Sequence, residues 1–296
     1  MTEPSTLNLE PSTIELPEHW DLIIQPKAHL LDLKLKEVWR YRDLMWLFVK
    51  RDFVAQYKQT ILGPLWHFIQ PVFTTVVYLL VFTKIANIPT DGIPPVLFYM
   101  SGITLWNYFS ACLNGTSGTF VANAGIFGKV YFPRLVMPLS TVLSNLVKFG
   151  IQLLLLAAAM AFYAWKGTPL QLGISLLMLP VLVAMMAAMG LGLGIIISSL
   201  TTKYRDLTVL IGFAVQLLMY ATPVAYPLSF LSGKSYAAWI RWNPLTPIVE
   251  AFRYALFQHG SFNAGSLLYS AIFIVTTLFL GLLIFSKVER TFMDTV

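Results

Sequence analysis

LGISLLMLPVLVAMMAAMGLGLGIIISSL, residues 172–200, holds no Asp, Glu, Lys or Arg. About 20 apolar residues in a helix cross the roughly 30 Å hydrocarbon core of a bilayer, so this run can span one alone. Working outward, the same signal recurs: Lys58 and Lys84 bound one charge-free stretch, and Asp91 and Lys129 bound another. The spans expected are 64–83, 95–117, 138–165 with Lys148 near its start, 172–200, 207–222 and 266–286. Of the 296 residues, 57% are hydrophobic and only 11% charged, where a soluble chain carries about 25% charged residues. An ordinary soluble protein is excluded. The fold expected is all-α: a polytopic membrane protein with one six-span domain over 59–290.

Orientation follows from the basic residues flanking the spans, which are retained in the cytoplasm. With the N-terminus inside, the inner segments hold Lys27, Lys34, Lys36, Arg40, Arg42, Lys50, Arg51, Lys58, Lys129, Arg134, Lys148, Lys203, Arg205, Lys287 and Arg290. The outer segments hold only Lys84, Lys166, Lys234, Arg241 and Arg253. Both termini are therefore expected in the cytoplasm. The same asymmetry explains the net charge of +6, since basic residues beside spans face anionic lipid headgroups. No nucleic-acid motif is present.

Three regions outside the spans stand apart. Residues 1–26 carry acids but no Lys or Arg, among Pro, Ser and Thr, and read as a disordered cytoplasmic tail. Residues 27–58 turn helical: Trp39, Trp46, Val49, Phe53 and Tyr57 recur at helical steps, with Lys36, Arg40, Asp43, Lys50, Arg51 and Lys58 mainly opposite. That pattern predicts an amphipathic helix lying in the inner membrane interface. Residues 223–262, on the outer side, are apolar yet broken by Pro223, Pro227, Pro244 and Pro247, and a proline inside a helix costs about 3 kcal/mol. Two short re-entrant helices fit there. Thr246 and Pro247 read as N-cap and first helical position of the second, running to His259, with Glu250 and Arg253 three apart and expected to pair or to meet a second copy. Residues 291–296 form a short cytoplasmic tail.

Several fragments imitate known sites and fail. Gly233-Lys234-Ser235 lacks the phosphate loop's earlier glycine, because position 228 is Leu228. Gly190, Gly192 and Gly194 lie inside an apolar span with no strand before them, so 190 and 194 read as a small-residue face for helix packing. The Asn114-Gly115-Thr116 sequon sits near the inner end of the second span. One cysteine, Cys112, makes no intramolecular disulfide, four scattered histidines form no metal cluster, and no cleavable signal peptide is expected. Ion-coupled carriers need charged groups inside their spans, and embedded hydrolases need paired carboxylates. The central portions of the spans offer neither, so the energy source is expected in another subunit, or nowhere, as in a passive pore.

Tyr99, Trp106, Asn107 and Phe109 form the unusual feature of the second span, since membrane aromatics normally occupy the interfaces. Two readings stand: buried packing with Asn107 bonded to a neighbouring helix, or a channel lining whose rings stack on sugars.

Three motifs then become recognisable: Tyr57-Lys58-Gln59-Thr60-Ile61-Leu62-Gly63-Pro64-Leu65-Trp66 with Gln70-Pro71; Lys129-Val130-Tyr131-Phe132-Pro133-Arg134; and Asn243-Pro244-Leu245-Thr246-Pro247-Ile248-Val249-Glu250-Ala251-Phe252-Arg253. In order along about 27–290, the chain resembles type 2 ATP-binding-cassette permeases that export polysaccharides such as O-antigen, capsule and teichoic acid. The resemblance implies a permease of the bacterial inner membrane, not itself an enzyme and without a cofactor. It implies a homodimer on two copies of a separate ATPase that binds the ATP and Mg. The substrate implied is a polyprenyl-diphosphate-linked glycan. Residues 122–137 would be the coupling segment, with Lys129, Val130, Tyr131, Phe132, Pro133 and Arg134 meeting the ATPase. Arg40, Lys50, Arg51 or Lys58 would draw the pyrophosphate, though the same side chains suit lipid headgroups or partner acids equally well. An exporter of small hydrophobic drugs, and a passive channel or scramblase, are the alternatives.

Overall fold

The computed structural model of the chain describes residues 35–292 apart from 59, 170–172, 203 and 205. The expected tail 1–26, residues 27–34 of the interface segment and residues 293–296 lie outside the described residues. Every regular element among the described residues is helical. In chain order these are α1 (Leu35–Arg40), α2 (Arg42–Tyr57), α3 (Trp66–Tyr78), α4 (Pro95–Ser117), α5 (Thr119–Phe127), α6 (Val136–Trp165), α7 (Leu179–Thr201), α8 (Leu207–Tyr220), α9 (Ala237–Trp242), α10 (Thr246–Phe257) and α11 (Ala264–Phe292). A 3₁₀ turn, Gly63–Leu65, leads into α3, and a π-helical stretch, Leu79–Ile85, prolongs it.

Among the described residues five helices are long and apolar enough to cross a membrane: Gly63–Ile85, Pro95–Ser117, Val136–Trp165, Ile174–Thr201 and Ala264–Glu289. The expected fifth span, 207–222, is the 14-residue α8, about 21 Å long at 1.5 Å per residue and short of the hydrocarbon core. Pro223 stops it, because a proline disfavours helical backbone in the residue before it. The third span also differs from expectation: α6 starts at Val136 and Lys148 lies near the middle of its 30 residues, not near its start. Pro138 is tolerated because a first-turn residue donates no intrahelical bond. The last helix continues to Phe292, beyond the expected end at Ser286.

The core is built around α4, the least apolar of the five long helices and the most buried. Protein neighbours, not lipid, meet its Ser101, Thr104 and Thr116, all buried. Glycine makes the close approaches possible. A Cβ on Gly194 would stand 1.7 Å from Thr116 Oγ1, and one on Gly190 would stand 2.8 Å from Cys112 Cβ, so α7 presses on α4 along the expected small-residue face. Gly192, on the other side of α7, meets Leu278 of α11. The main core joins α4, α6, α7 and α10. A second, smaller core gathers Val38, Met45, Phe48, Phe120, Phe127, Phe132 and Phe285 at the end of the bundle where α2, α5 and α11 meet.

The interface segment breaks at Tyr41 into α1 and α2. Val38, Met45, Phe48 and Val49 turn inward, whereas Trp39 and Trp46 are exposed. The expected apolar stripe is thus divided between the protein and the surface. In 223–262, α9 and α10 supply the two short helices. Thr246 is not the N-cap: Leu245 holds that place, and the Thr246 hydroxyl instead donates to the Ile240 carbonyl at 2.7 Å. The helix stops at Phe257, before the expected His259, because Gln258 adopts left-handed backbone with φ of 57°.

Candidate functional site

Three groups of side chains stand out, one at each end of the bundle and one between. At one end, α5 and α6 are joined by a short loop whose tip and root differ; it is the end expected from the sequence to face inward. Lys129, Val130 and Tyr131 are exposed, Pro133 is half-buried, and Phe132 and Arg134 are buried. The Phe132 ring sits 5.9 Å from Phe48 of α2 and 5.8 Å from Phe127 of α5. Arg134 lies over the Phe127 ring at 5.6 Å and donates from Nη1 to the Glu289 carbonyl of α11 at 2.6 Å. Burial pulls the Arg134 guanidinium below its ordinary value and Glu289 pulls it back up. The loop root is therefore packed on α2 and tied to α11. Arg40, Lys50 and Lys58 are exposed along α1 and α2. Arg51 is also exposed but pairs with Asp52 at 2.8 Å and covers Phe48.

At the opposite end of the bundle, expected from the sequence to face outward, Glu250 and Arg253 are both buried in α10 and pair at 3.4 Å. Arg253 donates from Nη1 to the Pro223 carbonyl and from Nη2 to the Val224 carbonyl, each at 2.6 Å, with its guanidinium carbon 3.8 Å above the Phe98 ring. Glu250 Oε2 accepts from Ser261 at 3.3 Å. These contacts staple α10 to the turn after α8 and to α4. A buried charge survives only with such partners, and here the helix-breaking prolines free the carbonyls that serve.

Between them, α3, α4 and α6 border a cleft of about 260 Å³ lined by His67, Gln70, Asn107, Asn145, Lys148 and Gln152, among others. Asn107 donates to Gln152 Oε1 at 3.5 Å, and the Tyr57 hydroxyl bonds His67 Nε2. Of the four residues expected to line a channel, only Asn107 reaches this cleft. Tyr99, Trp106 and Phe109 are buried in the main core, Trp106 lying 5.3 Å from Phe109 and Tyr99 packing on Tyr78 and Phe98. The polar set around Lys148 escaped the sequence reading. Its signal was present as helical spacing: Asn145, Lys148 and Gln152 at steps of three and four, His67 and Gln70 at three, Asn107 and Ser110 at three.

Comparison with known proteins matches the family description "ABC-2 type transporter" to residues 43–257. The chain belongs to the ABC-2 type transporter family. The "O-antigen export system permease protein RfbA" of Myxococcus xanthus is 28% identical over 88% of this chain and 98% of that protein. A Klebsiella pneumoniae protein of the same description is 28% identical over 89% and 99%, and the Escherichia coli "Polysialic acid transport protein KpsM" is 23% identical over 83% and 93%. The family match runs through most of α2, the loop between α5 and α6, and α10, so Phe48, Phe132, Arg134, Glu250 and Arg253 fall within it, whereas Arg40, Ser261 and Glu289 lie outside.

Proposed function

We propose that this ABC-2 family chain is the permease subunit of an exporter carrying a polyprenyl-diphosphate-linked polysaccharide, O-antigen-like, across the bacterial inner membrane. Two copies sit on two copies of a separate ATPase. The relatives named for O-antigen and polysialic acid transport support the substrate class. The observation that carries the mechanism is the inner loop, exposed at Lys129, Val130 and Tyr131 and rooted through Phe132 and Arg134. ATP-driven closure of the partner presses on the tip; Phe132 passes the load to α2 and Arg134 passes it to α11. The two permeases then part along a path between them.

In this reading the chain crosses six times with both ends in the cytoplasm, α8 and the turn after it making the short crossing. The pair α9 and α10 dips into the outer leaflet and closes the outer end. Arg40, Lys50 and Lys58 draw anionic headgroups to the inner surface, while Arg51 is partly satisfied by Asp52. A glycan cannot leave its hydroxyls unpaired in hydrocarbon, so the path between the two copies must offer them polar groups; Trp106 supports α4 from within the core.

Reconstitution tests the reading. The chain alone in proteoliposomes should not hydrolyse ATP; with its ATPase it should deliver lipid-linked glycan to the opposite face only when ATP is present. Glycan transfer without the ATPase, or ATP hydrolysis by the chain alone, would overturn it.

A further inference from the structure

The polar cleft between α3, α4 and α6 has a neighbour. Along the same three helices lies a second compartment of about 290 Å³, bordered by Val72, Val76, Leu79, Met100, Leu155 and Ala159 among others. The order is the same on every wall. On α3 and its π-helical extension the polar His67 and Gln70 precede Val72, Val76 and Leu79, and on α6 Asn145, Lys148 and Gln152 precede Leu155 and Ala159. On α4, which runs the opposite way, Met100 comes before Asn107 and Ser110. Along this groove the lining therefore passes from a compartment with amide and ammonium donors to one of aliphatic carbon.

Depth fits the change. Lys148 stands about 25 Å from Trp165, the far end of α6, at 1.5 Å per residue. With Trp165 set at the outer border of a roughly 30 Å core, the Lys148 ammonium comes just inside the inner headgroups. Among the described residues no carboxylate comes within salt-bridge distance of it; Asp52 of α2 acts on it only from further away. A cation in such a place is costly and is kept for a partner. Its neighbours Gln70, Asn145 and Gln152 add neutral donors of the kind that surround a phosphate.

We propose that this groove is a lipid-phosphate site: Lys148 and its neighbouring amides hold the phosphate of an inner-leaflet isoprenoid carrier, and the apolar compartment holds its first isoprene units. A single apolar compartment suits one chain, where a phospholipid brings two. The identity of the lipid rests on the function proposed above; the site rests on the groove.

The test uses the permease with its ATPase in phosphatidylethanolamine nanodiscs and a polyprenyl diphosphate bearing a photoactivatable group in its first isoprene units. Labelling should fall on α3 and α6 near Leu79 and Leu155. Lys148→Gln should lower it about tenfold, the loss expected for one charge-assisted contact, while Lys148→Arg keeps most of it. Ala159→Trp should block labelling with Lys148 intact. Unchanged labelling in Lys148→Gln would overturn the site, as would phosphatidylglycerol competing as well as unlabelled polyprenyl diphosphate. Disulfide capture of two copies through Val76→Cys would also overturn it, since the groove would then be covered by the second copy. Wild-type glycan export with Lys148-independent labelling would sink the site alone. Lys148-dependent labelling in a chain that exports no glycan would uphold the site and sink the function.

Discussion

Arg134 and Arg253 are the two buried arginines among the described residues, one at each end of the bundle, and each gives its guanidinium to backbone carbonyls. They are held differently. Arg253 has two carbonyls, the Glu250 carboxylate and the Phe98 face, all inside the main core. Arg134 reaches a carbonyl on α11 and a ring on α5, beside a loop whose tip is exposed. Arg253 fastens a short helix into place; Arg134 joins a loop to the last helix. Under the proposed function the difference teaches that the first is built to hold and the second to transmit, so their variants should fail in different ways.

The largest effect is expected at the outer end. Arg253→Ala strands Glu250 and two carbonyls in the core, and breaking a buried pair costs about 3 to 5 kcal/mol. Thermal unfolding in detergent should show that loss, and adding Glu250→Gln should recover part of it. Equal stability in Arg253→Ala would mean that α10 needs no staple. Gly102→Ala comes next. Its Cβ would lie 2.8 Å from both Arg253 Nη2 and the Val224 carbonyl, so the staple must shift, at about 1 to 3 kcal/mol, read by the same melting curve.

At Arg134 stability should suffer less and coupling more. Arg134→Ala removes a charged hydrogen bond beside the exposed loop tip, about 1.5 kcal/mol, yet it cuts the tie from loop to α11. Partner ATP hydrolysis should persist while ATP-driven export drops severalfold, measured side by side in proteoliposomes. A parallel fall in both activities would make Arg134 a stability residue like Arg253 and erase the contrast.

Much of this architecture is legible in the residue order because a membrane span leaves a one-dimensional trace. A charge-free run long enough to cross placed most of the long helices to within a few residues, and glycines four apart announced where α7 meets α4. The pairing of Glu250 with Arg253 was visible as two charges three apart in apolar surroundings. What stayed hidden depends on where helices sit around one another. Lys148 looked like the border of a span because a charge in an apolar run marks a boundary equally well; only the neighbouring Gln152 and Asn107 show it to be the mouth of a cleft. For Trp106 the sequence left packing and stacking both open, because helical spacing tells which residues share a face, not what that face meets. Likewise α8 shortens because Pro223 ends it and the freed carbonyls are taken by Arg253, a three-dimensional exchange with no sequence signature.

The claim on which the rest depends is that the exposed tip of the inner loop faces the cytoplasm and touches the ATPase. Tyr131 is half-exposed at 51%, so its replacement should leave stability within about 0.5 kcal/mol of wild type. With Cys112 first replaced by Ala, Tyr131→Cys in intact cells should resist a membrane-impermeant thiol reagent added from outside. In inverted vesicles it should crosslink to a cysteine-bearing ATPase, more strongly with nucleotide present. Labelling of position 131 from outside, or no crosslink to an ATPase that still copurifies, would contradict both the orientation and the coupling contact.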